Sequence, residues 1–203
     1  MIKSKKELEF YIMADYMMNR GYFKPSLKQR IKNFLFPDYI MQYIISMRKV
    51  AYYQQNGGVK FLLAINKIRY SRLGVKLGFS IGPNVFDYGL VIPHYGTIVV
   101  GPSNRIGKYA VLHTSVCITN AMKEIGEGLY CSAGCKLIFE GKLGSGITVG
   151  ANCVVAKDFM KDNILLTSVP AVIKSERSIW YVTDNKYAER IKLIEQLRQR
   201  MNI

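Results

Sequence analysis

A six-residue period runs through the middle of this 203-residue chain and constrains its fold more than any other feature. Each unit opens with an aliphatic or cysteine side chain, and a small or aliphatic residue usually follows four positions later. The opening residues are Ile106, Leu112, Ile118, Ile125, Cys131, Leu137, Leu143, Val149 and Val155. One extra residue shifts the phase near Glu124. So dense a repeat predicts stacked units that share one continuous core, because no single unit can bury an apolar face alone.

The repeat predicts a triangular coil of short parallel strands. Each unit supplies one strand and one turn, and three units complete a lap of about eighteen residues. The opening side chain points inward, and the residue four positions later lies inside near a corner. Cys131, Cys135 and Cys153 fall on such inward positions, where a thiol behaves as a small hydrophobe. The four cysteines form no CxxC pair and no zinc pattern, so we expect a reduced protein without a structural metal.

The net charge of +15 is concentrated in the N-terminal third of the chain. Residues 1–76 hold 15 Lys+Arg and 4 Asp+Glu, whereas residues 77–170 hold 7 and 6. Tyr and Phe interleave with these basic residues, as they do in helices that lie at membrane interfaces. We therefore expect either a solvated outer face or a peripheral membrane contact through the N-terminal helices. No nucleic-acid-binding motif accompanies the charge, so a nucleic-acid partner is not expected.

Helical periodicity replaces the six-residue period at both ends of the chain. Ser4 and Glu7 fit a capping box at the start of the first helix, and Asp38 is the expected cap of the third. The predicted helices cover residues 4–21, 26–37, 38–55, 59–73 and 184–201. The sequence thus divides into a helical N-terminal region (1–76), a coil (77–174) and a helical tail (175–203).

Two motifs give the chain a resemblance to a known family. Residues 93–101 read Pro-His-Tyr-Gly-Thr-Ile-Val-Val-Gly and resemble the segment of serine acetyltransferases in which a histidine precedes a Gly-Ile-Val-Val-Gly-like run. Residues 168–171 resemble the Gly-Val-Pro-Ala of the same enzymes. Over residues 60–175 the chain is similar to hexapeptide-repeat acyltransferases of the serine acetyltransferase type. Its helical start resembles the N-terminal part of serine acetyltransferase-like proteins encoded with bacterial polysaccharide genes. The resemblance implies a mainly β fold with α elements, a left-handed parallel β-helix, and assembly as a homotrimer.

The same resemblance implies an acetyl-CoA-dependent O-acetyltransferase with His94 as its general base. A neutral imidazole can take the proton of an attacking hydroxyl and later return it to the departing thiolate. His113, the other histidine, lies about one lap after His94. It is a candidate for the acceptor site, together with Asp87 and Tyr95.

Coenzyme A is expected beside small residues at the corners of the coil. In serine acetyltransferases such corners contact the pantetheine arm through backbone atoms, and the matching residues here are Ala133, Gly134 and Ala151. Ala133 and Ala151 are eighteen positions apart, which is one full lap. Lys174, just beyond the segment 168–171, is the candidate for a contact with the phosphates of the coenzyme.

The chain departs from serine acetyltransferases at two places that concern the acceptor. Phe79 stands where those enzymes have an aspartate fifteen residues before the histidine. The loop expected to hold the serine carboxylate is short, and Lys123 is its only cation. A site for serine must pair that carboxylate, so a sugar of a surface polysaccharide or its precursor is the expected acceptor. Two alternatives stay open: a serine O-acetyltransferase of cysteine biosynthesis, and a catalytically inactive trimeric scaffold that docks on membrane through its basic helices.

No segment of the sequence reads as a secretory signal or a membrane span. The most apolar stretch, residues 34–47, is interrupted by Pro37, Asp38 and Gln42. We therefore expect a cytoplasmic protein, and the peripheral membrane contact through the basic helices stays an open alternative. A hexapeptide carbonic anhydrase is excluded, because it needs three metal-binding histidines and the chain has two.

Overall fold

The computed structural model of the protein describes residues 2–57 and 60–203. Its helices are α1 Lys5–Arg20, α2 Leu27–Leu35, α3 Tyr39–Gln55, α4 Lys60–Leu77 and α5 Asn185–Arg200. Its strands are β1 Phe79–Ile81, β2 Ile98–Val100, β3 Arg105–Ile106, β4 Val111–Leu112, β5 Val116–Ile118, β6 Lys123–Ile125, β7 Tyr130–Cys131, β8 Lys136–Leu137, β9 Gly141–Leu143, β10 Thr148–Val149, β11 Val154–Val155, β12 Ile164–Thr167 and β13 Val172–Glu176.

The strands form three faces of a left-handed parallel β-helix of about five turns. Face A has the order β1-β2-β5-β8-β11, face B the order β3-β6-β9, and face C the order β4-β7-β10-β12. Neighbouring strands on these faces pair in parallel, and β13 closes face C by pairing antiparallel with β12. The predicted fold class, a β-helix with helices at both ends, is confirmed.

The opening residues of the six-residue units form the core of the coil. All nine, from Ile106 to Val155, are no more than 5% exposed. The residues four positions later are mostly inside as well, including Cys135 and Cys153. Met122 is the exception, because the extra residue at the phase shift turns it outward. The core continues from the coil into α3 and α4, so the helical region and the coil share one apolar interior.

Side-chain caps begin the first two helices close to where the sequence predicts them. The Ser4 hydroxyl accepts from the N–H of Glu7 at 3.1 Å. The capping box predicted there is incomplete, because the Glu7 carboxylate accepts from the N–H of Lys3 at 2.6 Å instead. Ser26 and Gln29 form a complete capping box at the start of α2.

Helix α4 differs from its prediction in length and in burial. It continues to Leu77, past the predicted end at Leu73, and the predicted start, Val59, lies outside the described residues. The first half of its apolar face is exposed, with Phe61 at 70% and Ile68 at 53%, and burial begins only near the coil. Across residues 2–57 and 60–203, no helix combines the length and apolar character that a membrane crossing requires.

A buried ion pair attaches α1 and α3 to the first lap of the coil. The Nε of Arg48 donates to the carboxylate of Asp15 at 2.8 Å, and both side chains are at most 1% exposed. Asp15 also accepts from two backbone N–H groups of residues 86–90, each at 2.9 Å. Arg48 donates to two carbonyl oxygens of the same segment, at 2.5 and 2.7 Å. The pair therefore fixes the backbone that leads to His94.

The C-terminal tail folds back over the helices and over face C. Ile194, on the apolar stripe of α5, is fully buried in a second apolar cluster with residues of α1. Arg190 donates to the carbonyl oxygen of Met18 at 2.6 Å, and the indole N–H of Trp180 donates to the carbonyl oxygen of Tyr109 at 3.0 Å. Tyr187, Ile191, Leu197 and Met201 pack against the same cluster.

Candidate active site

His94 lies at the corner where the chain passes from face C to face A. Paired residues bracket this corner on two laps: Val91 with Val111, and Ile98 with Val116. The corner around His94 therefore holds two residues more than the corner of the next lap. His94 and Tyr95 are both exposed in it, Tyr95 at 71%. The insertion explains why an imidazole stands outside an otherwise regular coil.

The structure brings the two histidines together. The ring centroids of His94 and His113 are 6.3 Å apart, because His113 occupies the same corner one lap later. A ring nitrogen of His113, Nε2, forms a hydrogen bond of 2.8 Å with the Tyr130 hydroxyl. Partial burial, and then the neighbouring His94, lower the pKa of His113 below its ordinary value. The lowered pKa favours the neutral imidazole of His113 at pH 7.

The structure separates Asp87 from this pair. Asp87 accepts from the Tyr11 hydroxyl at 2.6 Å and lines a cleft of about 470 Å³ that includes neither histidine. Phe79, which stands at the position of the aspartate of serine acetyltransferases, is buried with its ring edge-on to the ring of Tyr43. Asp87 is thus not placed to support His94 or to contact an acceptor there.

Small residues follow one another along the same corner on later laps. Ala133 and Ala151 are both exposed. The N–H of Asn152 donates to the carbonyl oxygen of Ala133 at 2.9 Å, and the N–H of Gly134 donates to the lap below at 3.0 Å. Gly134 has a positive φ of 73°, and a Cβ there would meet the Asn152 side chain. The corner therefore exposes small side chains and backbone atoms on successive laps.

Two lysines singled out in the sequence have different surroundings. Lys123 is fully buried, and its ammonium donates to the carbonyl oxygens of Thr119 and Ala121 at 3.1 and 2.8 Å. It is therefore not free to hold the carboxylate of an acceptor. Lys174 is exposed on β13, next to the last strand of face C.

A cleft of about 600 Å³ opens beside the histidine pair, between face C and the tail. Its floor is the outward column of face C, paired lap to lap: Val91, Val111, Tyr130, Thr148 and Leu165. Its roof comes from the tail: Arg177, Trp180, Thr183, Asp184 and Tyr187. His113 lies at its edge. Of these residues, sequence reasoning singles out only His113 for the site. The aromatic residues near Trp180 can be recognised in the sequence, but their packing over face C cannot.

Comparison with known proteins gives matches at the level of structure. No protein-family model and no curated protein matches the chain. The serine acetyltransferase of Brucella abortus superposes with a TM-score of 0.62 at 20% identity, over 85% of this chain and 69% of that one. The Neisseria gonorrhoeae serine acetyltransferase gives 0.62 at 18% identity, over 85% and 67%. This chain has the fold of the serine acetyltransferases.

A third match is a serine acetyltransferase crystallised in complex with CoA. Its TM-score is 0.63 at 20% identity, over 83% of this chain and 70% of that one. The resemblance to serine acetyltransferases that the sequence indicates is thus confirmed for the fold.

Proposed function

We propose that the protein is an acetyl-CoA-dependent O-acetyltransferase in which His94 is the general base. The observation that carries this proposal is the position of the His94 imidazole. It is exposed at an enlarged corner, and the following laps of that corner present Ala133 and Ala151. A thioester held along that edge has its acetyl group beside the imidazole. Structural neighbours that were crystallised with CoA support the choice of donor.

The proposed chemistry is direct transfer without an acyl-enzyme. His94 takes the proton of the acceptor hydroxyl while its oxygen attacks the thioester carbonyl. The tetrahedral intermediate collapses with cleavage of the carbon–sulfur bond, and the protonated imidazole returns its proton to the thiolate. Neutral His113, held by Tyr130, lies where it can hydrogen-bond the acceptor, and Tyr95 flanks the base.

A sugar is the proposed acceptor. The short loop that would hold a serine carboxylate offers Lys123, whose ammonium is buried and already hydrogen-bonded. The cleft beside the histidines has the volume of a drug-sized ligand, far larger than an amino acid. Serine is the second candidate, favoured by the fold and by a neighbour crystallised in complex with serine.

Release of the thiol from acetyl-CoA tests the activity and the acceptor together. We expect turnover with members of a panel of sugars and nucleotide-sugars, and little with L-serine. Turnover of L-serine at ordinary enzyme rates would contradict the sugar acceptor and favour the serine alternative. Absence of thiol release with every acceptor would contradict the enzyme and favour the inactive scaffold.

We also propose a homotrimer that associates through face A. Face B presents charged side chains outward, with Lys142 and Glu124 joined in a 2.7 Å ion pair, and face C is covered by the tail. The outward column of face A includes one charged residue, Lys136, together with the partly exposed apolar residues Val99 and Val154. Association there puts the corner with Ala133 and Ala151 into a groove between subunits, where coenzyme A is expected.

Helix α2 supports the proposed peripheral contact with a membrane surface. None of its nine residues is buried. Its apolar side chains share one face and are exposed: Leu27, Ile31, Phe34 and Leu35. Lys28, Arg30 and Lys32 lie among them, and no Asp or Glu occurs between Asp15 and Asp38.

These features fit an anionic lipid surface better than a second copy of the chain. Apolar residues beside several cations suit insertion at the headgroup level of an acidic bilayer. A symmetric contact between two copies would place the same cations opposite one another. Because acetyl-CoA is the proposed donor, we propose that this contact is on the cytoplasmic side.

Sedimentation with lipid vesicles tests the role of α2. We expect binding to vesicles that contain phosphatidylserine and little binding to phosphatidylcholine alone, with a loss of binding at high salt. Phe34→Ser should weaken binding about tenfold or more, because a large apolar side chain no longer inserts. Met160→Ser, which changes an apolar residue of the coil that is also exposed, at 64% against 85% for Phe34, should not. Unchanged binding of the Phe34 variant would contradict the proposal, and a change in its oligomeric state instead would assign α2 to a contact between chains.

A further inference from the structure

The cleft over face C contains a buried hydroxyl that the fold itself does not use. Thr148 is 4% exposed, and its hydroxyl oxygen has no hydrogen-bond partner among the described residues. A buried hydroxyl left unpaired costs free energy, so its presence in the wall of a cleft points to a ligand that completes its hydrogen bonding. Ser132, at the corner, adds a second hydroxyl to the same wall.

Aromatic rings line the cleft beside these hydroxyls. The centroid of Trp180 is 6.0 Å from that of Tyr130 and 4.9 Å from that of Tyr187. Its indole N–H is already held by the Tyr109 carbonyl oxygen, which fixes the orientation of the ring. Apolar ring faces next to hydroxyl groups match a pyranose, which carries C–H faces and a rim of hydroxyls.

The charged residues of the cleft indicate that its ligand carries a negative group. Arg177 forms no ion pair within the part of the chain that the structure describes. The one carboxylate of the cleft, Asp184, is the N-cap of α5, and its Oδ1 accepts from the N–H groups of Lys186 and Tyr187. The guanidinium of Arg177 is thus available to a ligand, whereas one oxygen of the carboxylate is already engaged by the helix. A guanidinium pairs best with a carboxylate or a phosphate.

We propose that this cleft is the acceptor site and that it takes an acidic saccharide, one that carries a carboxylate or a phosphate. Arg177 binds the negative group, Trp180 packs on a ring, and Thr148 hydrogen-bonds a hydroxyl. The reacting hydroxyl lies at the His113 edge of the cleft. There its proton passes to His94, its oxygen forms the ester bond, and the thiolate of coenzyme A leaves with that proton. This inference rests on the proposed function.

Trp180 provides a direct readout of binding, because it is the one tryptophan of the chain. The experiment is a fluorescence titration without acetyl-CoA, using glucuronic acid, glucose 1-phosphate, glucose and L-serine as probes. We expect the two acidic sugars to change the emission at concentrations at least tenfold lower than glucose or serine. The carboxylate and phosphate arms show which negative group the cleft prefers.

Two variants separate a binding role from a structural one. Arg177→Gln should raise the Kd for the acidic sugars at least tenfold and leave that for glucose unchanged, whereas Arg200→Gln, at an exposed position outside the cleft, should change neither. Thr148→Val should weaken binding without lowering the midpoint of thermal unfolding, because the hydroxyl it removes has no partner in the fold. A lowered midpoint with unchanged binding would assign Thr148 a structural role and contradict the proposal.

The failure of this inference is distinguishable from the failure of the proposed function. Acetyl transfer to any acceptor, combined with no response of Trp180 to acidic sugars, would overturn the cleft assignment and leave the activity standing. Tighter binding of L-serine than of the acidic sugars would overturn it as well. Binding of acidic sugars without acetyl transfer would support the cleft and contradict the activity.

Discussion

Replacement of His94 by alanine should lower kcat for acetyl transfer by about 10²- to 10⁴-fold, the range typical of a positioned general base. The variant lacks the group that takes the hydroxyl proton, and His113 is a poor replacement because its Nε2 is engaged by Tyr130 and its lowered pKa makes it a weaker base. Since the side chain of His94 is exposed, the free energy of unfolding should stay within about 0.5 kcal/mol of the parent protein. Thiol release and chemical denaturation measure the two quantities.

A second variant at the same corner shows whether the loss belongs to the chemistry or to donor binding. Ala151→Trp places a large ring on the exposed edge where the pantetheine arm is expected. It should raise the KM for acetyl-CoA and leave kcat nearly unchanged at saturation, whereas His94→Ala lowers kcat. Acetyl transfer that survives the loss of His94 unaltered would contradict the proposed mechanism.

The sequence predicts the coil well because its information is local. The opening residue of each six-residue unit is predicted to point inward from that unit alone. Ile106, Cys131 and Val155 are all buried, as this pattern predicts. Helix starts are local as well. Asp38 caps α3 at the predicted position, since one side chain and the N–H of Met41 decide it.

The features that the sequence does not predict depend on contacts between distant segments. The apolar period of α4 predicts an apolar helix face. The residues around Phe61 and Ile68 do not show whether another segment of the chain packs against that face, and in the structure both side chains are exposed. Lys123 reads as a free cation, although the phase shift that surrounds it turns the side chain inward.

The candidate site divides in the same way. His94 and the corner with Ala133 and Ala151 follow from motif and period. The cleft does not, because its roof depends on where the tail comes to rest, more than sixty residues along the chain from the histidine pair.

Replacement of Arg48 by alanine should lower the free energy of unfolding by about 3–5 kcal/mol, which is the typical effect of breaking a buried ion pair. The carboxylate of Asp15 would remain buried without its cation, and two carbonyl oxygens of residues 86–90 would lose their donor. Denaturant unfolding measures the change. Lys24→Ala, which breaks the exposed pair with Glu9, is the control and should have little effect.

The double variant Asp15→Leu with Arg48→Met tests what the pair contributes. A buried ion pair that acts only as two opposite charges is often replaced by apolar residues without loss of stability. Here the pair also satisfies four backbone groups of residues 86–90, and an apolar pair would leave all four without partners. Because each buried group left unpaired costs about 1–3 kcal/mol, the double variant should be no more stable than Arg48→Ala. Recovery to the stability of the parent protein would show that those backbone hydrogen bonds do not hold the first lap, and hence His94, in place.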